Sequence, residues 1–360
     1  MRLADPGPGE VLVRIAAAGV CHSDLHLADG ALGEDRWPIV LGHEGAGVVA
    51  ALGPGVAEIA VGDRVAFCFV PPCRTCVACT AGRFHLCETA AAHAGNGTLF
   101  DGTSRLSEPD GGSLHHFNFV SCFAEYVVVP VGAAVPVVDD LPLWQAALLG
   151  CAVLTGVGAV RNTARVQLGD TVVVIGCGGV GLQVVAGARL TGAGQIIAVD
   201  LQPENLERAR QHGATDLVEA GSDDVAAAVL ALCPGGVDHA FEVVGRPQTI
   251  RLAWDVLRAG GTAVVVGLTP RGVEVSLPAL EFLSEKGIKG SCYGSVNAAV
   301  ELPRLTRMAA DGRLSLADAV SHVTDLDGIE AAFERLRQGE GARTVVILDD
   351  GTAGYEGSRR

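Results

Sequence analysis

The stretch Thr171-Val172-Val173-Val174-Ile175-Gly176-Cys177-Gly178-Gly179-Val180-Gly181 decides the fold. Its first five residues are all β-branched and carry no polar alternation, the signature of a strand buried on both faces. The glycines that follow let backbone come close to a ligand, and the residues from there to Arg189 read as a helix. Strand, glycine turn and helix N-terminus together suit a pyrophosphate. Glycine turns between strand and helix are common, so the flanks matter. A second strand, Gln195 to Val199, ends at Asp200, 19 residues beyond Gly181. A carboxylate there accepts hydrogen bonds from ribose hydroxyls and repels a 2′-phosphate, which predicts NAD rather than NADP. Pro203 opens another helix, and further strands are expected near 238–242 and 262–266. The rhythm is that of an α/β protein with a doubly wound parallel sheet.

Upstream the pattern is different. Residues 9 to 70 read as short strands and turns, with Val11–Ile15, Gly45–Ala50 and the segment Val61–Val65 as examples. Residues 88 to 121 are rich in Gly, Ser, Asp and His and read as a long functional loop. Ala124–Val129 returns to strand. After about 295 the chain is mixed again, with a last strand over Arg343–Leu348 and a polar tail from Gly351. No internal repeat is present.

The chain has 360 residues, 48 of them glycine, is 49% hydrophobic and carries a formal charge of -15. That length supports two domains. The acidity argues against nucleic-acid and membrane-surface partners, since both present negative charge. No apolar run is expected to reach the roughly 18 residues of a membrane span. The first residues lack the basic-then-apolar order of a signal peptide. Eleven cysteines without such a signal predict metal chemistry in a reducing, cytoplasmic setting rather than a disulfide scaffold.

Four of those cysteines fall as Cys73-x-x-Cys76-x-x-Cys79-x7-Cys87. Four thiolates on short spacers close around one tetrahedral zinc and leave it no open position, so the site is structural. Scattered buried thiols would not show this spacing. Cys21-His22-Ser23-Asp24-Leu25-His26, Gly42-His43-Glu44 and Cys151 offer a second donor set. Two thiolates and an imidazole from Cys21, His43 and Cys151 leave a fourth zinc position free for water or substrate. Ser23 is close in sequence to Cys21, and Asp24 is a candidate to hold the second ring nitrogen of His43. Spacing alone does not bring Cys151 to Cys21. Cys68, Cys122, Cys177, Cys233 and Cys292 read as small buried hydrophobes, and His115-His116 as a structural turn. A zinc-ribbon nucleic-acid binder is excluded by charge: the lobe has only Arg74 and Arg83 near it, and the chain has two lysines.

Taken together and in this order, these motifs resemble the zinc-containing medium-chain alcohol dehydrogenases over nearly the whole chain. Gly97-Thr98-Leu99-Phe100-Asp101-Gly102-Thr103 with His115-His116-Phe117 is similar to the branch of animal, plant and glutathione-dependent enzymes. The resemblance implies a GroES-like β-rich catalytic domain, 1–152 with 295–360 and a zinc lobe at 73–87. That domain is split around a Rossmann domain, 153–294. It implies that Cys21, His43 and Cys151 bind catalytic zinc, and that Glu44 sits behind the metal. Ser23 and His26 would form a proton relay. His22, Arg343, Gly176, Gly178, Gly179, Val180, Gly181 and Asp200 would meet the cofactor, and Phe69 and Phe117 would wall the substrate pocket. It further implies two zincs per chain, a homodimer or homotetramer, and reversible hydride transfer between a primary aliphatic, allylic or aryl alcohol and NAD. A nicotinoprotein with tightly held NAD, or a thiol-adduct (formaldehyde) dehydrogenase, are the alternatives; a binding protein that kept the fold without catalysis is disfavoured by the intact set. Two departures stand out. The chain starts almost at Asp5–Glu10, where family members carry about one strand pair more, which predicts unpaired sheet edges or an upstream start. Ala91 and Ala92 occupy the loop where glutathione-dependent members have an arginine, which predicts an apolar alcohol.

Overall fold

The computed structural model describes residues 1–33, 37–221 and 224–357. The chain forms two compact units, Ala152–Val296 and Met1–Cys151 with Asn297–Arg360.

The unit Ala152–Val296 is built on a six-stranded parallel sheet. Its order is Asp216–Glu219, Gln195–Asp200, Thr171–Ile175, Val237–Glu242, Leu257–Val265, Gly287–Gly290. Val173 stands opposite Ile197 on one side and Ala240 on the other, all fully buried, which is why that strand shows no polar alternation. Trp254, Val237 and Ile197 belong to the core beneath it. Thr171–Ile175 has neighbours that leave in opposite directions along the sheet, so the strand order reverses there and a crevice opens at the carboxyl ends. The glycine turn lies at that end and the helix Gly179–Thr191 starts from it.

The other unit is β-rich. The eleven-residue strand Glu10–Val20 is its spine. Along one edge it pairs first with Tyr126–Pro130 and then with Thr344–Ile347. Along the other it pairs with Glu44–Leu52, which leads to Arg64–Phe67 and Ala134–Pro136. A side chain at Gly47 would overlap the carbonyl oxygen of Arg14, so the close pairing of the two strands requires glycine there. A smaller sheet joins Arg2–Leu3, Leu106–Ser107, Ser113–His116 and Ile39–Val40. The first residues of the chain are therefore paired.

Several expectations change. The stretch 88–121 is not one loop: it opens with the helix Glu88–Asn96, on which the exposed Ala91 and Ala92 lie, and holds two short strands. Cys87 caps that helix by accepting the Ala90 N–H at 3.3 Å, and Gly97 ends it at φ +66°. His115 and His116 lie in a strand, not a turn. Cys292 is exposed and Cys233 half-buried, whereas Cys68, Cys122 and Cys177 are buried. The helical run Leu143–Ala164 has 22 residues and is long and apolar enough to cross a membrane. Its most apolar window is 83% buried in the protein, the state of a core helix.

Candidate active site

The first constellation lies wholly in the β-rich unit. Cys21 directly follows the spine strand and is the N-cap of the helix His22–Ala28. That helix carries His22 exposed, Ser23 and His26 half-buried, and Asp24 fully buried. His43 ends the loop before Glu44–Leu52. Cys151 lies in a π-helical turn, Leu149–Val153, within the long buried helix. Such turns interrupt a helix to present a side chain, and recur at functional sites.

The fold closes these distant residues on one point. The sulfur atoms of Cys21 and Cys151 and a ring nitrogen of His43 lie within 4.8 Å of one another, all buried. His43 Nε2 is 3.3 Å from Cys151 Sγ. Its Nδ1 is 3.3 Å from Asp24 Oδ1, and Asp24 also accepts the Gly42 N–H at 2.8 Å and the Cys21 N–H at 3.3 Å. Asp24 thus fixes both chain segments that supply donors, as well as the imidazole's orientation. Burial alone would lower the pKa of His43; the charge and hydrogen bond of Asp24 outweigh it and hold the value well above normal. The Cys151 thiol hydrogen-bonds to Cys21 and pushes the Cys21 pKa well down; Cys151 is pushed well up for the same reason and by burial. Ser23 Oγ is 3.8 Å from Cys21 Sγ. Phe69 and Phe117 meet the His43 ring edge-on, with centroids 5.3 and 5.1 Å away.

Behind the donors sits a buried ion pair that the residue pattern did not reveal. Arg343 Nη1 is 3.5 Å from Glu44 Oε2 and donates to Val20 O at 3.0 Å. Burial pushes the Glu44 carboxyl up to about 7 against the opposing charge of Arg343. Burial also lowers the pKa of the exposed-edge His22 ring. Sequence placed Arg343 only as a cofactor contact; its signal as a partner of Glu44 lies in three-dimensional proximity alone.

The lobe is also closed. The four sulfurs of Cys73, Cys76, Cys79 and Cys87 lie within 4.8 Å of one another. Cys73 and Cys79 are 4.0 Å apart, as are Cys76 and Cys87. Tetrahedral zinc with Zn–S of about 2.3 Å requires sulfurs about 3.8 Å apart. Backbone N–H groups of Cys76, Cys79 and Ala90 point at the sulfurs, as they do around thiolates. A hydrogen bond from Thr89 brings Cys73 down to about 5, while burial pushes Cys79 up to about 12. Both donor sets fit zinc.

The cofactor turn lies in the other unit. Gly176 has φ +93°, and a side chain at Gly181 would overlap the Gly176 carbonyl oxygen. At Gly178 a side chain would meet open space. That open cradle before a helix N-terminus fits a pyrophosphate. Val180 is half-buried in the first helical turn. Asp200 Oδ2 accepts the Cys177 N–H at 2.6 Å, which ties the turn to the neighbouring strand.

Residues 7–142 match the alcohol dehydrogenase GroES-like domain, and residues 179–310 the zinc-binding dehydrogenase domain. This chain belongs to the zinc-containing medium-chain alcohol dehydrogenases. It is 39% identical over 347 residues to the S-(hydroxymethyl)glutathione dehydrogenase of Photobacterium damsela subsp. piscicida, covering 96% of this chain and 94% of that one. Among solved structures it is similar to an alcohol dehydrogenase zinc-binding domain protein from Burkholderia ambifaria, with TM-score 0.91, 34% identity and coverage of 96% and 93%. It is also similar to the benzyl alcohol dehydrogenase of Acinetobacter calcoaceticus, with TM-score 0.87, 31% identity and coverage of 96% and 94%. This alcohol dehydrogenase is therefore an oxidoreductase whose cofactors are zinc and NAD, with a GroES-like domain and a doubly wound dinucleotide-binding domain.

Proposed function

We propose that the enzyme interconverts small apolar primary alcohols, aliphatic, allylic or aryl, and their aldehydes with NAD. The observation that carries this reading is the three-donor set Cys21, His43 and Cys151 with Phe69 and Phe117 packed edge-on around His43. Three protein donors leave one tetrahedral position, and two aromatic rings beside it favour an apolar substrate. When bound, zinc supplies the Lewis acidity that lowers an alcohol's pKa, and NAD supplies the hydride acceptor. Cys21, His43 and Cys151 hold the metal, with Asp24 orienting His43. Ser23 accepts the alcohol proton and His26, one helical turn on, carries it toward solvent. Glu44 and Arg343 balance charge behind the donors. Gly176, Gly178, Gly179, Val180, Gly181 and Asp200 hold the dinucleotide, with His22 and Arg343 toward its phosphates. Cys73, Cys76, Cys79 and Cys87 keep the second zinc.

A second reading, oxidation of S-hydroxymethylglutathione, is favoured by the names of relatives 36 to 39% identical. Against it stand Ala91 and Ala92, small and exposed, on the helix Glu88–Asn96 where a charged thiol adduct needs a cation. Steady-state kinetics with benzyl alcohol, 1-butanol, an allylic alcohol and S-hydroxymethylglutathione decide between them. A kcat/KM for the apolar alcohols at least tenfold above that for the adduct supports the first reading; the reverse order replaces it with the second. Absorbance of bound reduced nicotinamide in the purified protein would mark a nicotinoprotein.

The edge strand Gly287–Gly290 and the exposed Leu280 and Leu283 beside it support a homo-oligomer through that edge, tested by light scattering on Leu283→Asp. Eleven free cysteines support a reducing, cytoplasmic setting.

A further inference from the structure

What reads in sequence as a polar tail is packed down in the structure. Residues 349–355 follow the strand Thr344–Ile347 as Asp349-Asp350-Gly351-Thr352-Ala353-Gly354-Tyr355, with no apolar repeat. They form the four-residue helix Asp350–Ala353, far too short to hold in water by itself. Asp349 caps it: Oδ1 accepts the Thr352 N–H at 3.1 Å and Oδ2 accepts the Thr352 hydroxyl at 2.7 Å. Gly354 ends it at φ +69°. Ala353 is fully buried, so the order of this segment comes from what it is packed against.

It meets two elements of the β-rich unit at once. One is the spine strand Glu10–Val20: the N–H groups of Leu348 and Asp349 both donate to Ala16 O, at 3.0 and 3.3 Å, and the Asp349 carboxylate pairs with Arg14. The other is the start of the helix Leu143–Leu148. There the Tyr355 ring meets Trp144 edge-on, with centroids 5.7 Å apart and planes at 82°, and a side chain at Gly354 would stand 3.4 Å from Pro142 Cβ. This helix start has no side-chain cap; Pro142 offers only its carbonyl to the N–H groups of Gln145 and Ala146. The buried Leu143, Ala146, Ala147 and Leu148 hold the helix onto the strands Glu10–Val20 and Glu44–Leu52. They set its distance from the sheet, and its tilt is left to its ends. The two clasped elements are also the two that supply thiolates. Cys21 lies five residues after Ala16, and Cys151 seven residues after Trp144, about two helical turns or 10 Å further on. Metal donors must hold their distances to about 0.2 Å. A small tilt at Trp144, passed along two turns of helix, is enough to exceed that tolerance at Cys151.

We propose that residues 349–355, anchored by Tyr355, are a positioning clasp for the metal set: they fix the helix that carries Cys151 against the strand that leads to Cys21. The inference rests on the reading of Cys21, His43 and Cys151 as the catalytic zinc donors. The lobe provides an internal control. Its four cysteines fall within one stretch from Cys73 to Cys87 and close by local spacing. A segment that only stabilised the fold would weaken both zincs or neither, whereas a clasp on the Cys151 helix weakens the catalytic zinc and spares the lobe's.

The test is zinc affinity at each site, read by chelator competition on the intact enzyme, on a chain ended after Leu348, and on Tyr355→Ala and Tyr355→Phe. Cys151→Ala identifies which of the two zincs is which. In Tyr355→Ala the catalytic zinc is expected to bind about tenfold more weakly, the low end of what the loss of an outer support costs a metal site, with the lobe zinc unchanged. The shortened chain is expected to lose at least as much at the catalytic set. Tyr355→Phe keeps the ring against Trp144 and is expected to bind both zincs like the parent. Equal weakening at the two sites overturns the proposal. So does an unchanged catalytic affinity in Tyr355→Ala, or a Tyr355→Phe protein as weak as Tyr355→Ala. Should the shortened chain fail to fold, the two Tyr355 variants are held to the same outcomes. If Cys151→Ala keeps both zincs, the reading of the donor set falls. If Cys151→Ala loses one zinc and Tyr355→Ala holds it normally, only the present inference falls.

Discussion

Gly178 and Gly181 sit three residues apart in one turn, and the structure gives them opposite fates on conversion to alanine. A methyl group at Gly181 would overlap the carbonyl oxygen of Gly176 and stand 2.9 Å from its carbon. Ordinary carbon–carbon contact is about 3.5–4.0 Å, so the first turn of the helix Gly179–Thr191 must retreat from the strand by about 1 Å. Overpacking of that size costs about 1–3 kcal/mol, against a gain of at most about 1 kcal/mol from alanine's better helix propensity. The net loss of about 1–2 kcal/mol lowers the melting temperature by roughly 3–8 °C in a unit of this size. The retreat also displaces the N–H groups of the turn, so NADH binding weakens as well. At Gly178 the methyl group meets nothing within 4 Å, and φ is -75°. Alanine is strained neither sterically nor in its backbone, and a melting temperature within about 2 °C of the parent is expected. The open space is nonetheless the cradle. Filling it forfeits one or two hydrogen bonds to a charged phosphate, about 3 kcal/mol, or roughly a hundredfold in NADH affinity. Differential scanning fluorimetry and NADH fluorescence titration read the two quantities separately. A Gly178→Ala protein that binds NADH normally, or a Gly181→Ala protein that melts and binds like the parent, refutes the reasoning.

Asp24→Asn keeps the shape of Asp24 but puts an NH2 where one carboxylate oxygen stood, so it cannot accept from Cys21 N–H, Gly42 N–H and His43 together, and it loses the charge that faces the imidazole; zinc affinity at the Cys21, His43 and Cys151 set is expected to fall about 10–100-fold in chelator competition. Lobe zinc stays in place in that variant, and parallel loss of both zincs would count against Asp24 as the orienting group. Cys87→Ser breaks the lobe's donor set, so zinc per chain measured by mass spectrometry should fall by about one, with reduced thermal stability. An unchanged zinc count would end the structural-zinc reading. Burial, with Arg105 nearby, lowers the pKa of His116 to about 4. The unfolded chain therefore takes up the proton first, and this part of the stability, about 3 kcal/mol, is present above pH ~6.5 and lost as pH falls toward ~4. Urea unfolding at pH 7 and at pH 4.5 should show His116→Gln losing less stability on acidification than the parent, and equal losses would refute the assignment.

What sequence could supply follows physical lines. The strand Thr171–Ile175 and its glycine turn were readable because a fully buried parallel strand and a close phosphate approach each demand residue types seldom found together otherwise. The helix Glu88–Asn96 was hidden because its N-cap is Cys87, whose sulfur does the work usually given to Ser, Thr, Asp or Asn. The run Leu143–Ala164 was hidden by Gly150, Gly156 and Gly158, which lower helix propensity. The fold needs each of them: a side chain at Gly150 would overlap Phe67 O, one at Gly156 would stand 2.6 Å from the Gln183 side chain, and one at Gly158 2.5 Å from Gly294 O. Packing overrides propensity there. The lobe's cysteines advertise themselves because their spacing is local. Cys21 and Cys151 are 130 residues apart, and no periodicity links them; only the family likeness did.

The same limit explains Arg343. Sequence registers a lone arginine at the start of a strand; the structure shows one 5% exposed, beside a fully buried Glu44. Taking either charge out of water costs several kcal/mol unless the other is there, so each residue accounts for the other's position. The pairing does not consume the guanidinium. Among the described residues, Nη1 serves both Val20 O and Glu44, while Nε has no hydrogen-bond partner. A guanidinium has five N–H donors in a fixed fork, so part of it is anchored at Val20 O and Glu44 and another part meets the Cys21 sulfur, with donors left over. A charge held so firmly loses little further entropy on meeting a phosphate. The ion pair is thus compatible with, and preparatory to, the cofactor role proposed for Arg343.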